Sequence, residues 1–569
     1  MILINLVLST ILALGLIFYR YVLKGKINLF YLLTIIAFLP IVSIFRTGIY
    51  ESGDLAIHAE RLISFYDSFF NNSLIPKWTP EFNAGYGEPY FLFSYFLPYL
   101  TGSIFHLIGF SYLNSIKLLL SISYLSSGLT MYLWVKKELN KRSGFVAAIF
   151  YLFMPYHLVD MHFRVTAAEN LSFVFLPLIL LGIKNVIEKY EKKWFIVLAI
   201  SFGLLILSHQ AITVMFFPLM IGYAFFTWFI QKNREIKHLV RCFLSILLGI
   251  LIVSFYWMPI VFLAKFTQED LYPAAIAFPG LAELLYSPWR YGLLFQGHKG
   301  ELSYLIGYTQ LFVLLTSLYF VFIKKLNSKL RKSNLFFLTV SLIIVFMILP
   351  ISEPLWTIPF LKYSQYSTRL LVPLALCISI LSGVVVKKIN NKWFVIAICT
   401  ITIAYTMLNW GNRRTLPELK DNYLKQQFIL QSNSTLGPTS PIWATSNDCL
   451  IKTDPRVNIE ITKGKGEIAE RLRTPILHKY YVYAQSQIKV RENTLFFPGW
   501  TVIASDKQIP INYMNKKCPG VINFVLEKGE YDLSVKFADS PIVAFSKWLS
   551  LLAFFVIFMY MFSPKNKFG

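Results

Sequence analysis

The chain is dominated by long apolar segments that alternate with short polar connectors. Most of these segments are long enough to cross a hydrocarbon core of about 30 Å as a helix. Inside lipid only helices or closed barrels satisfy all backbone polar groups, and segments of this length favour helices. We predict an all-α polytopic membrane protein whose spans, about thirteen in number, lie near 3–19, 27–45, 112–135, 144–160, 171–188, 194–209, 211–231, 239–262, 304–323, 335–351, 369–386, 393–410 and 542–562.

The net charge of +24 would suggest a nucleic-acid partner in a soluble protein, but its distribution indicates membrane topology instead. Basic connectors alternate with connectors that are richer in Asp and Glu. Because cytoplasmic loops of membrane proteins carry an excess of Lys and Arg, we predict that the N-terminus lies outside, that the C-terminus is cytoplasmic, and that no nucleic acid binds. The cytoplasmic connectors are Lys136–Arg142, Lys184–Lys193, Lys232–Arg241, Lys324–Lys332 and Lys387–Lys392.

This topology divides the chain into three predicted regions. Residues 1–410 form the multi-helix core, which includes a first external loop at 46–111. Within that loop, 89–108 is apolar enough to span, but counting it as a span would invert the charge pattern that follows. We therefore expect an interfacial or re-entrant helix there. Residues 411–541 form an extracytoplasmic domain, and 542–569 form the last span and a cytoplasmic tail.

The predicted external domain is polar and has alternating apolar runs that are typical of strands. These runs are Thr494–Ser505, Val521–Leu526 and Tyr531–Phe537, and a turn at 527–530 joins the last two. A small antiparallel β-sandwich is the expected shape. Cys449 and Cys518 both lie in this domain, where a disulfide and two free thiols are equally compatible with the spacing. Cys242, Cys377 and Cys399 are expected to be packing residues.

A polar island at residues 48–62 interrupts the apolar core near its start. If a helix begins at Asp54, then Asp54, His58 and Arg61 share one face. The other candidate site residues also fall at predicted outer helix ends or loops: Arg164, Glu169, His209, Arg290 and Arg369. Ionisable groups in such positions tend to mark functional sites.

Each candidate also has a structural interpretation. Asp54 would serve as a helix N-cap, and Glu169 would pair with Arg164. His209 would be a hydrogen-bonded core residue, and Arg369 would be an interfacial anchor. Taken singly, the structural interpretation is favoured for each residue. Taken together, the gathering of polar groups at one side of the membrane favours a site.

The segment GDLAIHAERLISFYDSFFNNSLIPKWTPEFNAGYGEPYFLFSYFLPY resembles the first external loop of a membrane family in the GT-C glycosyltransferase superfamily. Its members are often labelled 6-pyruvoyl-tetrahydropterin synthase-related and are close to YfhO-type membrane proteins. RVTAAENLSFVFLPL, LSHQAITVMFFPL, SPWRYG, IPFLKYSQYSTRLLVPL and FFPGWTVIASDKQIP resemble later parts of the same family. Two departures stand out: Val165-Thr166 replaces the usual Gly, and 366–368 replaces an aromatic-Pro-Trp run. The pterin label gains no support, because the histidine spacing of that zinc site is absent.

The resemblance implies a transferase that takes a sugar from a polyprenyl-phosphate donor outside the cytoplasmic membrane. Asp54 would be the general base of an inverting transfer, and Arg369, or else Arg164, would stabilise the phosphate leaving group. His58 and Glu169 would orient the acceptor or form a second acid/base pair, while Arg61, His209 and Arg290 would bind substrate. The acceptor would be a cell-envelope glycan, lipid or protein.

No cofactor is required by this scheme, although Asp54 and Glu169 would suit Mg²⁺ or Mn²⁺ if they met. Two other functions stay open at the level of the sequence. One is a lipid or polysaccharide transporter, which should show repeats and helices broken at mid-bilayer. The other is a non-catalytic membrane scaffold that binds cell-envelope glycan.

Overall fold

The computed structural model describes residues 2–70, 75–269, 278–286, 304–322, 326–358, 361, 364–411, 415–425, 436–445 and 457–562. Most of the described chain is helical. The helices are α1 (Ile2–Ile17), α2 (Leu29–Ile41), α3 (Leu55–Phe70), α4 (Tyr90–Phe93), α5 (Leu97–Leu107), α6 (Tyr112–Glu138), α7 (Lys141–Leu152), α8 (Pro155–Val159), α9 (Ala167–Glu188), α10 (Lys192–Ser208), α11 (Gln210–Phe229), α12 (Ile236–Ile252), α13 (Ser254–Leu263), α14 (Leu281–Leu285), α15 (Tyr308–Phe322), α16 (Ser328–Ile348), α17 (Leu371–Ile389), α18 (Lys392–Thr406) and α19 (Pro541–Phe562).

Seven helices in the described part of the chain are long and apolar enough to cross a membrane, and two bent pairs raise this number to nine. The multi-pass membrane class is therefore confirmed, whereas the count of thirteen spans is not. The four remaining predicted spans form helices of 13, 17, 15 and 15 residues, α2, α10, α15 and α18, which are shorter than the roughly 20 residues typical of a span. At 1.5 Å per residue, a helix of 15 residues such as α15 rises about 23 Å, which is less than the hydrocarbon thickness.

The two ends of the helical bundle differ in character. At one end, basic connectors meet: Arg142 donates to the Asn390 side chain at 3.0 Å, and the His238 ring lies 3.0 Å from the Ile187 carbonyl. Asparagine side chains start several helices there, as Asn140 does for α7, because a side-chain oxygen satisfies an otherwise unpaired backbone N–H. The described parts of the predicted external loops lie at the opposite end. The side of the membrane that each end faces stays a prediction.

Residues 90–107 form two short helices, α4 and α5, and neither is long enough to span. Their interfacial or re-entrant placement stays a prediction. Pro98 lies in the first turn of α5, where a missing N–H costs nothing.

The C-terminal region is β-rich. Its strands are β3 (Ile459–Lys463), β4 (Gly466–Thr474), β5 (Leu477–Ala484), β6 (Ile488–Leu495), β7 (Trp500–Ala504), β8 (Lys507–Ile509), β9 (Val521–Leu526) and β10 (Gly529–Phe537). They form two antiparallel sheets, ordered β4-β5-β10-β7-β8 and β3-β6-β9, around one apolar core. A further pair joins β1 (Ile49–Tyr50) to β2 (Thr415–Leu416). The predicted turn at 527–530 does link β9 and β10, but the two strands enter different sheets, so they are not a hairpin.

Cysteines are split between the two regions. Cys242, Cys377 and Cys399 are free and buried, as expected for packing residues. Cys518 is disulfide-bonded. Cys449, which the sequence suggested as its partner, lies outside the described residues.

The β-rich region is docked onto the first loop. Trp78, which is buried, packs edge-on against Trp500 at 5.2 Å and tilted against Phe537 at 5.3 Å between ring centroids. The backbone N–H of Leu495 donates to the Tyr86 carbonyl at 2.8 Å. The loop that carries the polar island therefore shares an apolar core with the C-terminal strands.

A buried carboxyl group joins the same two parts. Glu88 accepts hydrogen bonds from Thr439 at 2.7 Å, from Ser440 at 2.7 Å and from Asn83 at 3.1 Å. Burial raises the pKa of Glu88, and these three donors oppose that effect. The first loop is thus held to the C-terminal region at two places, by the strands that carry Trp500 and Phe537 and by the segment that precedes the strands.

Candidate active site

Asp54 is anchored through its backbone to a turn between two helices. Its N–H donates to the Arg164 carbonyl at 2.9 Å, and the N–H of Gly53 donates to the Phe163 carbonyl at 2.7 Å. A β-carbon at position 53 would lie 3.0 Å from the Arg164 oxygen, so this close approach favours glycine. The Asp54 carbonyl accepts from the His58 N–H at 2.8 Å, which starts α3 as predicted.

The turn that holds Asp54 has an unusual backbone. Residues Asp160–Arg164 form a π-helical turn that ends at Val165, whose φ of 59° and ψ of 52° are left-handed. A β-branched residue in this conformation costs about 1–3 kcal/mol. Val165 stands where the resembled family has a glycine, so the departure noted in the sequence falls on the position with the strained backbone. The hydrogen bonds that the Phe163 and Arg164 carbonyls accept from Gly53 and Asp54 adjoin this strained residue.

Glu169, in the first turn of α9, is fully buried and collects cationic donors. Its Oε1 accepts from Arg369 Nε at 2.8 Å and from Arg164 Nη2 at 3.3 Å. Its Oε2 accepts from Arg164 Nη1 at 3.1 Å and from the Tyr156 hydroxyl at 2.9 Å. Both oxygens are therefore engaged. The predicted pairing of Glu169 with Arg164 exists, but it is one part of a larger cluster.

Asp160 completes this cluster. Arg164 Nη1 donates to its carboxylate at 3.2 Å, Asn170 donates at 3.1 Å, and the Thr166 hydroxyl also donates to it. The formal charges of the two arginines, Arg164 and Arg369, equal those of the two carboxylates, Asp160 and Glu169. Buried charges are tolerated when each is paired and hydrogen-bonded, so the structural interpretation accounts for the core of the cluster.

Arg369 joins the cluster from the turn before α17, and His209 approaches it from the start of α11. Arg369 also donates from Nη1 to the Ser364 carbonyl at 2.8 Å and to the Gln365 side chain at 3.1 Å. His209 caps α11, since its Nδ1 accepts from the Ile212 N–H at 3.4 Å, while its Nε2 lies 3.3 Å from the Tyr95 hydroxyl.

His58 lies inside the packing between α3, α5 and α9. Its Nε2 accepts from the Ala167 N–H at 3.3 Å, and its Nδ1 lies 3.0 Å from the Tyr99 hydroxyl. The amide donor assigns the ring proton to Nδ1. Burial, together with the nearby Arg61, lowers the pKa of His58 to about 3. A neutral ring with both nitrogens occupied suits positioning better than proton transfer.

Arg61 is the candidate cation without a carboxylate partner among the described residues. Its guanidinium carbon lies 4.8 Å from the centre of the Tyr90 ring, and its side chain is hydrogen-bonded to Tyr99. Cation–π stacking and a phenol hold the charge in place without neutralising it. Such a group is available to an incoming anion.

Asp54 itself has no hydrogen bond to its carboxylate within the described ranges. It is partly buried, and desolvation raises its pKa. Arg61, Arg164 and Arg369 oppose that rise, whereas Glu169 adds to it. Three arginines from three different parts of the chain thus act to lower the pKa of the Asp54 carboxyl group. The sequence predicted these residues at the same side of the membrane.

A divalent cation shared by Asp54 and Glu169 does not fit these contacts, because both Glu169 oxygens already accept from Arg or Tyr. Across the described ranges, no group of three His, Cys, Asp or Glu side chains is placed to share a metal ion. Arg290, the remaining predicted substrate ligand, lies outside the described residues.

Sequence reasoning missed the tyrosines of the site. Tyr90, Tyr95, Tyr99 and Tyr156 each contact one of its charged or histidine side chains. With 33 tyrosines in the chain, these four carried no distinguishing signal. Spacing offers one hint: Tyr95 and Tyr99 are four residues apart, near a proline that starts a helix.

These observations define a multi-pass membrane protein with a charged, aromatic-lined site at one end of its bundle. Residues 94–258 match the family model described as dolichyl-phosphate-mannose-protein mannosyltransferase. That range includes Arg164, Glu169 and His209, and it supports the resemblance to membrane glycosyltransferases of the GT-C superfamily. The narrower YfhO-type and pterin-synthase-related labels are not confirmed.

One protein sequence is similar over more than half of the chain. An uncharacterized protein of Lactococcus lactis subsp. cremoris (strain MG1363) is 24% identical over 344 residues, which cover 58% of this chain and 54% of the relative. The match therefore spans about half of that relative's length.

Solved structures give similarities of the same kind. The arabinofuranosyltransferase AftD from Mycobacteria matches 67% of this chain and 26% of its own, with a TM-score of 0.45 and 15% identity. The oligosaccharyltransferase AglB from Archaeoglobus fulgidus, solved with an inhibitory peptide and a dolichol-phosphate, covers 75% of this chain and 62% of its own, with a TM-score of 0.40 and 14% identity. ArnT from Cupriavidus metallidurans, bound to undecaprenyl phosphate, covers 71% of this chain and 76% of its own, with a TM-score of 0.39 and 10% identity.

Proposed function

We propose that this protein is a membrane glycosyltransferase that transfers a sugar from a polyprenyl-phosphate donor to an acceptor hydroxyl outside the cytoplasmic membrane. The observation that carries the proposal is Asp54, whose carboxylate accepts no hydrogen bond within the described ranges and feels the charges of three arginines. The family match over residues 94–258 supports the same class of reaction. Cell-envelope glycan, lipid or protein is the expected acceptor.

The free carboxylate suits a general base. An acceptor hydroxyl attacks the anomeric carbon while Asp54 removes its proton, the glycosidic bond to phosphate breaks, and the polyprenyl phosphate leaves with the electron pair. Attack from the face opposite the leaving group inverts the anomeric centre. General-base catalysis of this kind contributes about 10²–10⁴-fold to a rate. A carboxylate already paired with a cation, as Glu169 is, would be a poorer base.

The arginines suit the leaving group. Arg164 and Arg369 are balanced by Asp160 and Glu169, so the cluster fixes their geometry at little net charge. Arg61 adds the uncompensated charge. We therefore assign the first contact with the donor phosphate to Arg61, and the charge that develops in the transition state to Arg369, with Arg164 behind it. His58 and Glu169 are positioning residues in this scheme, because their polar atoms are already bonded.

The direct test supplies membranes with radiolabelled polyprenyl-phosphate sugars and follows the released lipid and the labelled product. Asp54→Asn should lower the rate of sugar transfer by about 10²–10⁴-fold. Arg369→Ala should also lower this rate. Asp506→Asn is the matched control, since Asp506 lies exposed in the turn between β7 and β8. Undiminished transfer by Asp54→Asn excludes the catalytic assignment, whereas undiminished transfer by Arg369→Ala excludes only its role at the leaving group.

The proposed sidedness has its own test. Single cysteines at Glu51 and Lys507, both exposed, should react with an impermeant maleimide added outside intact cells. A cysteine at Lys329, exposed in the first turn of α16, should react only after permeabilisation. Labelling of positions 51 and 329 from the same side would contradict the extracytoplasmic site.

A further inference from the structure

A polar cavity adjoins Gly48, just before strand β1. Its volume is about 400 Å³, and its polar lining comes from Arg46, Thr47, Ser111, Asn114, Lys420, Asp421 and Asn422. It is bounded by the segment after α2, the start of α6 and the segment after β2. None of these residues contributes to the candidate active site, so the cavity is a separate feature at the same end of the bundle.

The cavity is bordered by positive charges that lack carboxylate partners. Arg46 donates from Nε to the Ser43 carbonyl at 3.0 Å, but its Nη2 is buried and has no hydrogen-bond partner among the described residues. Just behind the lining, buried Lys117 donates to the Arg46 and Gly48 carbonyls, both at 2.6 Å. Within the described ranges neither side chain forms an ion pair. The positive charges of Arg46 and Lys117 are therefore not balanced by a carboxylate within the described ranges, and an anion in the cavity would balance them.

The one acidic residue of the lining is not the missing acceptor. The Asp421 carboxylate accepts from the backbone N–H groups of Tyr112 at 2.7 Å and Leu113 at 3.2 Å, so it caps α6 from a distant part of the chain. Lys420, next to it, is exposed and adds another positive charge at the rim. Three cations against one occupied carboxylate leave the region positive.

We propose that this cavity binds a phosphate group, with Arg46 as the principal ligand. Arg46 lines the cavity and has no carboxylate partner within the described ranges, and guanidinium forks match the geometry of a phosphate. The side chains of Thr47, Ser111, Asn114 and Asn422 line the same space and supply further donors. Since the cavity opens between the end of α2 and the start of α6, the phosphate comes from an anionic lipid headgroup or from free phosphate.

The test uses the purified full-length protein in two arms. In the first, nanodiscs of phosphatidylcholine with phosphatidylglycerol are analysed by native mass spectrometry, and the retained phosphatidylglycerol is counted. In the second, the melting temperature is measured in sodium phosphate and in sodium chloride of equal ionic strength. The variants are Arg46→Gln and Asn422→Asp, and the control is Lys392→Gln, an exposed charge at the other end of the bundle.

Loss of a charge-assisted hydrogen bond should weaken binding about tenfold in Arg46→Gln, and the added negative charge should act likewise in Asn422→Asp. Lipid retention that falls in both variants but not in Lys392→Gln supports a headgroup. A phosphate-dependent melting shift lost in the same pattern supports free phosphate. If Arg46→Gln fails to fold, the result for Asn422→Asp, a change at an exposed residue, tests the proposal alone. Variants that equal the unmutated protein in both arms overturn the proposal.

Discussion

Replacing Asp54 with Asn should separate activity from stability in this protein. The amide keeps the size of the side chain and loses no hydrogen bond within the described ranges, because the carboxylate makes none. It removes only the charge and the basicity. A loss of about 10²–10⁴-fold in the rate of sugar transfer corresponds to about 3–5 kcal/mol of transition-state stabilisation.

Asp54→Asn should lower activity but should not lower the stability of the folded protein. The pKa of Asp54 is raised in the folded protein, so ionisation of this group disfavours the folded state at neutral pH. Below the ordinary aspartate pKa, about 4, the carboxyl is protonated in both states and the penalty vanishes. Asp54→Asn should therefore melt at or above the temperature of the unmutated protein at pH 7.5, and the difference should shrink as the pH falls toward 4.

Two measurements on the same preparations check this reasoning. Transfer is assayed at saturating lipid-linked donor, and melting is followed by intrinsic fluorescence at pH 4.5, 6 and 7.5, with Asp506→Asn as the control. Activity of the unmutated protein should also decline on the acid side at a pH above 4. A marked fall in the melting temperature of Asp54→Asn at pH 7.5 would show that the carboxylate stabilises the fold, and the assignment of Asp54 as a base would lose its physical basis.

Three further outcomes are expected. Glu169→Gln leaves buried arginine charges short of a partner, and should cost about 3–5 kcal/mol, seen as a sharp loss of folded protein on size-exclusion chromatography; normal yield and melting would contradict the cluster. His58→Phe leaves a buried backbone N–H unpaired and should cost about 1–3 kcal/mol, whereas the pH–rate profile of the unmutated protein should show no step near 6.5 from His58, whose pKa is about 3. Glu88→Ala should expose the first loop to limited proteolysis, with Glu88→Gln intermediate, and an unchanged cleavage pattern would remove its proposed docking role.

The helical architecture was predictable because lipid imposes a simple rule on the sequence. Each predicted span coincides with a helix, since apolar length and basic connectors are local properties. The number of membrane crossings was less accessible, because α15 and α18 are short and two other segments bend by 48° and 71°. Those features depend on packing between helices, which no single segment encodes.

The candidate site was predictable as a group of residues but not as a geometry. The sequence brought Asp54, Arg164, Glu169 and Arg369 to the same end of the bundle, and the structure places them within one electrostatic neighbourhood. It did not indicate that Glu169 would be saturated by two arginines, or that His58 would be locked between an amide and a phenol. Such partners are 100 to 200 residues apart in places, and only the folded chain defines them.

The docking of Trp78 on Trp500 has a practical consequence for how this chain can be divided. A truncation before the β-rich region would expose Trp78 and Glu88 of the first loop to water. The remaining membrane portion should then become prone to aggregation. Chimaeras between homologues should then fold only when the first loop and the C-terminal strands are taken from the same protein.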